Sequence, residues 1–217
     1  ALPISTISSF DWEKGAWAAE QTTSDTGKEV IKISIAGDWA PIRMFKEIME
    51  TSPESVYGDL LPILRSTDLS IANLESPLSD RGAPVFKSGA VFKGEQRHIK
   101  ALKAVPFDVV TLANNHVFDY GLDAFEDTLD VLNRNHVQWT GAGMSIKEAA
   151  APLVINVKDT KIAIVNFSEG EDLTFAGKGP GVMGWDLSKV EDTIKALQSK
   201  VDFIIVISHC GIEYIPF

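Results

Sequence analysis

The chain has 217 residues, of which 45% are hydrophobic and 23% charged, the balance of an ordinary globular protein with one large domain or one domain plus an extension. Thirty acidic against twenty basic side chains give a formal charge of −10, which argues against nucleic-acid binding, because that needs a basic surface to displace counterions from phosphates. A single cysteine excludes an internal disulfide framework and any multi-cysteine metal site, and no apolar run approaches the ~20 residues of a membrane helix. The first ten residues lack a basic leader and a long apolar stretch, so no signal peptide is expected there, although the chain begins with Ala rather than Met.

Residues 1–29 are mixed and polar, with Thr22–Lys28 reading as a linker, so they are expected to form an N-terminal extension to a domain over 30–217. Val30–Ala36 is a β-branched run that reads as a buried strand, with Gly37-Asp38 as the turn behind it. Met44–Glu50 and Gly58–Ser66 have helical spacing, broken at Ser52-Pro53, and Asp68–Asn73 is a second strand. Arg81–Gly94, rich in Gly, Pro and Lys, reads as a long loop. Gln96–Val105 is helical, Phe107–Ala113 is a third strand, and Leu122–Asn133 is a helix with Leu122, Phe125, Leu129 and Leu132 on one face. Val137–Thr140 is a short strand before a turn at Gly141-Ala142-Gly143. Pro152–Val157 and Lys161–Phe167 form a predicted hairpin, Leu187–Ser199 a helix and Asp202–Ser208 a last buried strand. Strands alternating with helices predict an α/β domain with a largely parallel or mixed sheet.

Four predicted strands end in polar residues of one chemical kind: Gly37-Asp38, Asn73-Leu74-Glu75, Asn114-Asn115-His116 and His209-Cys210-Gly211-Ile212-Glu213. Ligands bind at the carboxyl edge of an open parallel sheet, so parallel strands would bring Asp38, Glu75, Asn115, His116 and His209 together there. Carboxylate, amide oxygen and imidazole suit divalent Mn, Fe or Zn rather than a calcium cage or a thiolate site. Two such ions bridged by a carboxylate activate water for phosphate-ester hydrolysis, and a nearby imidazole can protonate the leaving oxygen. Taken singly, each element also reads as a turn, a helix cap or a core histidine. The repetition along one edge is what points to a site.

The segments "GDWAPIR", "DLSIANLESPL", "FDVVTLANNHVFDYGLDAFEDTL", "TGAG" and "DFIIVISHCGIEY" resemble, in this order, the CapA-type poly-γ-glutamate capsule-synthesis proteins, a family similar in fold to calcineurin-like metallophosphoesterases. The resemblance covers roughly residues 30–217 and implies a layered metallophosphoesterase-type fold. It implies that Asp38 binds one metal, that Glu75 bridges two, that Asn115 and His209 bind the second, and that His116 is the acid of catalysis. Asn114, Asp119 and Glu213 would support the site, and Arg43 could clamp an anionic substrate, although a surface arginine is equally compatible. Lys87 and Phe92 match a Lys…Phe element of the family, but a solvated loop is the plainer expectation.

The sequence departs from the family pattern in two places. Cys210 stands where the family has Trp, and it is expected to be a buried small residue rather than a nucleophile. The family's further Gly-His-x-Pro-His motif does not occur before Phe217. Of the four histidines only His116 and His209 belong to the pattern, while His98 and His136 read as surface or cap residues. The expectation is therefore a domain lacking its C-terminal part. Two functions remain open from the resemblance. One is a metal-dependent phosphoesterase-like hydrolase acting on an anionic phosphate ester or on poly-γ-glutamate; the other is a non-catalytic polymer-binding, assembly or export component working with capsule-synthesis proteins at the bacterial cell envelope.

Overall fold

The computed structural model describes residues 10–11, 16–17, 30–169, 174–177 and 179–211. The chain divides into two compact units, Ala1–Val30 and Ile31–Phe217. In the first, β1 (Phe10–Asp11) and β2 (Ala16–Trp17) pair antiparallel. The second unit begins with β3 (Ile33–Trp39), α1 (Phe45–Thr51), a 3-10 segment (Pro53–Leu60) and α2 (Leu61–Arg65). There follow β4 (Leu69–Leu74), the 3-10 turn Gln96–His98, α3 (Ile99–Ala104), β5 (Val109–Thr111), α4 (Gly121–Arg134), β6 (Gln138–Thr140) and β7 (Ala142–Gly143). The described part ends with α5 (Ile146–Ala149), β8 (Leu153–Val157), β9 (Thr160–Ser168), β10 (Gly181–Val182), α6 (Leu187–Leu197) and β11 (Phe203–His209).

Side chains alternate across a strand, so each sheet can bury both faces only if something covers each one. Strands β3-β4-β5-β6 form one parallel sheet. A second sheet, β11-β9-β8, joins a parallel pair to the antiparallel hairpin β8–β9. The inner faces meet through Leu69, Ile71 and Val109 of the first sheet and Val157, Ile162 and Ile164 of the second. On the outer face of the first sheet, Ala72, Leu74 and Val110 pack on Met49, Leu102, Phe125 and Leu132 from the helices. Ala163, Val165 and Phe167 do the same for the second sheet against Ala149, Val190 and Leu197. The result is four layers: helices, sheet, sheet, helices.

The long helix and the hairpin lie where the sequence predicts them, with four differences of consequence. The four polar-ended strands do not share one sheet, because β11 is the edge of the second sheet. The first strand runs three residues further than Ala36. Its register against β4 shifts between Ile35 and Asp38, a bulge that returns Asp38 to pairing opposite Asn73 instead of placing it in a turn. Ala142-Gly143 is not a turn but a short strand paired with Gly181-Val182. Leu122 is 45% exposed, and Thr128 and Val131 are buried in its place, because the buried face of α4 is rotated from the one the leucines mark. Among the described residues no helix is long and apolar enough to cross a membrane.

Two contacts fix the surroundings of the site. Gly141 has φ +92°, and a Cβ there would fall 1.9 Å from Asn166 Oδ1. That oxygen accepts from Ala113 N at 2.8 Å, and Asn166 Nδ2 donates to Ile207 O at 3.1 Å, so β9 is tied to both the first sheet and β11. At the end of β3, Trp39 Nε1 donates to Tyr57 Oη at 2.9 Å, and Tyr57 donates to Ala101 O at 2.6 Å; burial pushes the phenol up to about 12.

Gly141→Ala is expected to cost roughly 1–3 kcal/mol or more from left-handed strain and the clash with Asn166, read by urea unfolding. Asp127 of α4 accepts from Arg81 and from Ser79 Oγ, and chiefly the Arg81 hydrogen bond holds its carboxyl below the usual range. The unfolded chain therefore binds more protons at this group. The stabilisation is present above pH ~4 and is lost as pH falls through the folded-state value. Stability of Asp127→Asn measured against pH should be lower at neutral pH and show a shallower acid limb than the parent chain.

Candidate metal centre

The inner-facing positions of the strands turn from apolar to polar at their carboxyl ends: Leu69, Ile71, Asn73 in β4; Val109, Thr111 in β5; Ile205, Ile207, His209 in β11. Here the two sheets stop excluding water and present hydrogen-bonding groups to one another. Asn73 is 7% exposed and is the link. Its Nδ2 donates to Asp38 Oδ1 at 2.7 Å and lies 3.3 Å from His209 Nδ1, while its Oδ1 accepts from Thr111 Oγ1 at 3.1 Å and Asn114 Nδ2 at 3.2 Å.

Around His209 each ring nitrogen faces one amide and one carboxylate. Nδ1 has Asn73 and, at 3.7 Å, Asp38 Oδ1; Nε2 has Asn115 Oδ1 at 3.1 Å and Glu75 Oε1 at 3.5 Å. One ligand atom from each of Asp38, Glu75 and His209 lies within 4.8 Å of the others. Asp38 is the most open of the three, its side chain 56% exposed against 15% for Glu75 and 22% for His209. Two carboxylates, an imidazole and an amide oxygen gathered at this spacing form a donor set that fits a divalent ion of the Mn, Fe or Zn kind. The end of β11 is pinned by Glu169, whose N donates to His209 O at 3.1 Å and whose Oε1 accepts from Gly211 N at 2.7 Å.

Asn115 and His116 sit in the turn after β5. Asn114 folds that turn, its Oδ1 accepting from the backbone N of His116 and of Val117 at 3.0 and 2.9 Å, and its Nδ2 donating to Leu74 O at 2.8 Å. His116 Nδ1 lies 2.5 Å from Asp119 Oδ2, and its ring stacks on Phe92 with centroids 3.9 Å apart. The same Asp119 carboxylate accepts from Lys87 Nζ at 2.9 Å and Phe92 N at 2.6 Å. It is thus an acceptor toward the ring, which puts the proton of a neutral imidazole on Nδ1 and turns Nε2 to any ligand.

Other expected residues lie apart from this cluster or outside view. Arg43 is exposed, at φ +52° in the turn between β3 and α1. Glu213 lies outside the described residues. Cys210 is exposed rather than buried, because it follows the last residue of an edge strand. His98 is fully buried rather than on the surface: its Nδ1 accepts from Glu95 N and its Nε2 faces Glu50. His136 is exposed at φ +60° just past α4, as expected of a cap position. Lys87 is not solvated, its side chain being 4% exposed. Asn73 and Asn166 are absent from the expected set, yet both occupy the last inner-facing positions of apolar runs, and that alternation is the signal for them. Lys87 is marked in the sequence only by the family's Lys…Phe element; composition does not show its burial, because its partners are 28 and 32 residues away.

Comparison with known proteins follows the same lines. A Thermus thermophilus structure described as a 5′-nucleotidase precursor superposes with TM-score 0.50 at 15% identity, covering 83% of this chain and 37% of its own. A Staphylococcus aureus structure described as a putative 5′-nucleotidase in complex with alpha-ketoglutarate gives TM-score 0.53 at 18% identity, covering 84% and 38%. Over the matched part, the chain accordingly shares the fold of these two structures. In sequence, the PGA biosynthesis protein CapA of Bacillus subtilis is 26% identical over 99% of this chain and 58% of its own length. The capsule biosynthesis protein CapA of Bacillus anthracis is 25% identical over 86% and 48%, so this chain spans about half the length of these relatives. The model of the family described as bacterial capsule synthesis protein PGA_cap matches residues 32–216, and the chain belongs to that family.

Proposed function

We propose that this chain carries a metal-dependent, phosphoesterase-like hydrolase site of a capsule (poly-γ-glutamate) synthesis protein, acting on an anionic phosphate ester or polymer linkage. The observation that carries this reading is the adjacency of two arrangements: the Asp38, Glu75, His209 donor cluster, with Asn115 against it, and the Asp119-oriented imidazole of His116 one residue along the chain. Asp38, Glu75, Asn115 and His209 would hold a divalent ion, which would supply Lewis-acid polarisation of an ester oxygen. These four donors would suffice for one ion, and a second would need donors from beyond them. His116 Nε2 delivers a proton to the leaving oxygen, while Asp119 holds the ring in register. With a chain charge of −10, the substrate's anion is held by this local centre rather than by the general surface. Arg43, at the rim of the β3–α1 turn, is the proposed side-chain anion contact. Capsule-synthesis proteins at the cell envelope are the proposed partners.

Mn2+ titration calorimetry should show binding to the parent chain that weakens at least ~10-fold in Asp38→Ala, Glu75→Ala and His209→Ala. His116→Ala should keep the metal affinity and lose ~10²–10⁴-fold in hydrolysis of a p-nitrophenyl phosphate ester. Hydrolysis that survives intact in both Asp38→Ala and His116→Ala would remove the hydrolase reading. Tight metal binding without turnover of phosphate esters or poly-γ-glutamate would favour polymer binding instead.

A further inference from the structure

We propose that Lys87 is a positioning residue for His116, acting through Asp119 and through the backbone of Asn115; this deepens the hydrolase reading and rests on it. The loop 81–94 is not a loose connection. Val85 N donates to Asp119 O at 2.9 Å, Phe92 N donates to Asp119 Oδ2, and the Phe92 ring covers one face of the His116 imidazole. Within that loop Lys87 turns inward, and Nζ donates to Asp119 Oδ1 at 2.9 Å and Asn115 O at 2.8 Å.

An ammonium on a surface loop has a far less costly place in water, since burying a charge is expensive unless it is paired and hydrogen-bonded. Its burial here has a geometric effect. The two oxygens of Asp119 are divided between partners, Oδ1 to Lys87 and Oδ2 to Phe92 N and His116 Nδ1. That division fixes the carboxylate plane and keeps Oδ2 aimed at the ring. The second bond, to Asn115 O, holds the peptide that joins the amide facing His209 to the imidazole. One side chain thus sets both the ring orientation of His116 and its spacing from the metal donors. Neither Asp119, on the turn, nor Phe92, through its own main chain, can set both.

The test uses the whole chain labelled with 15N-histidine, at fixed neutral pH, together with phosphate-ester kinetics in Mn2+. In the parent chain the neutral His116 ring should be the Nδ1–H tautomer. Lys87→Met should give a mixture of tautomers and lower kcat at least ~10-fold while KM stays within about twofold, and Lys87→Arg should recover most of both. If Lys87→Met does not fold, Lys87→Gln, whose neutral amide stops one bond short of the Nζ position and so cannot span both acceptors, is read in its stead. A folded Lys87→Met or Lys87→Gln chain with the parent tautomer and the parent kcat overturns the proposal. So does a loss that Lys87→Arg leaves unrepaired. A parent chain that hydrolyses nothing, but whose His116 tautomer shifts on Lys87 substitution, keeps the positioning role and removes the hydrolase reading instead.

Discussion

The site depends on one buried carboxamide. Asn73 uses both of its donors and both lone pairs of its oxygen, toward Asp38, His209, Thr111 and Asn114. These partners come from β3, β11, β5 and the turn behind β5, so a single side chain joins the carboxyl ends of two different sheets. Replacing it would strand several partly buried groups at once, each at a desolvation cost of ~1–3 kcal/mol. An apolar residue at this position would continue the Leu69, Ile71 face and close the sandwich dry. The polar residue instead ends the hydrophobic interior and opens a place for charge.

The rest of the centre follows from that junction. The bulge in β3 brings Asp38 opposite Asn73, the end of β4 delivers Glu75, and the bonds between Glu169 and the end of β11 hold His209 across from both. The turn after β5 is closed internally by Asn114 and externally by the loop 81–94, through Lys87 and Phe92. The proposed metal donors Asp38, Glu75 and His209 therefore stand at strand ends, while Asn115 and the proposed proton donor His116 stand on a turn braced from two sides. Rigid placement of this kind is what a reaction that gains from fixed geometry requires.

Much of this is legible in the sequence, for physical reasons that differ between elements. The hairpin Leu153–Ser168 and helix α4 announce themselves because their periodicities are long and uninterrupted, and Asp38, Glu75, Asn115 and His209 because polar residues recur where apolar runs stop. The division into two sheets is not legible: a short apolar run reads the same whichever sheet it joins, and only the pairing of β11 with β9 separates them; β11 is moreover an edge strand with Phe203 and Val206 exposed rather than the buried strand expected. The bulge at Ala36-Gly37 hides the true end of β3, since one irregular pair shifts every later residue. Lys87 escapes a local reading because composition describes a loop, whereas its burial depends on an aspartate 32 residues on. His98 escapes it in the same way, its partner Glu50 lying 48 residues back.

Everything proposed for this centre turns on where a metal ion sits. Anomalous diffraction from Mn-soaked crystals of the chain, recorded at the metal edge, locates it without reference to activity. The predicted result is a peak about 2.0–2.3 Å from oxygens of Asp38, Glu75 and Asn115 and from a ring nitrogen of His209, with Asn73 behind them and outside bonding distance. A peak at another group of side chains, or none at the junction of the two sheets under saturating Mn2+, would contradict it.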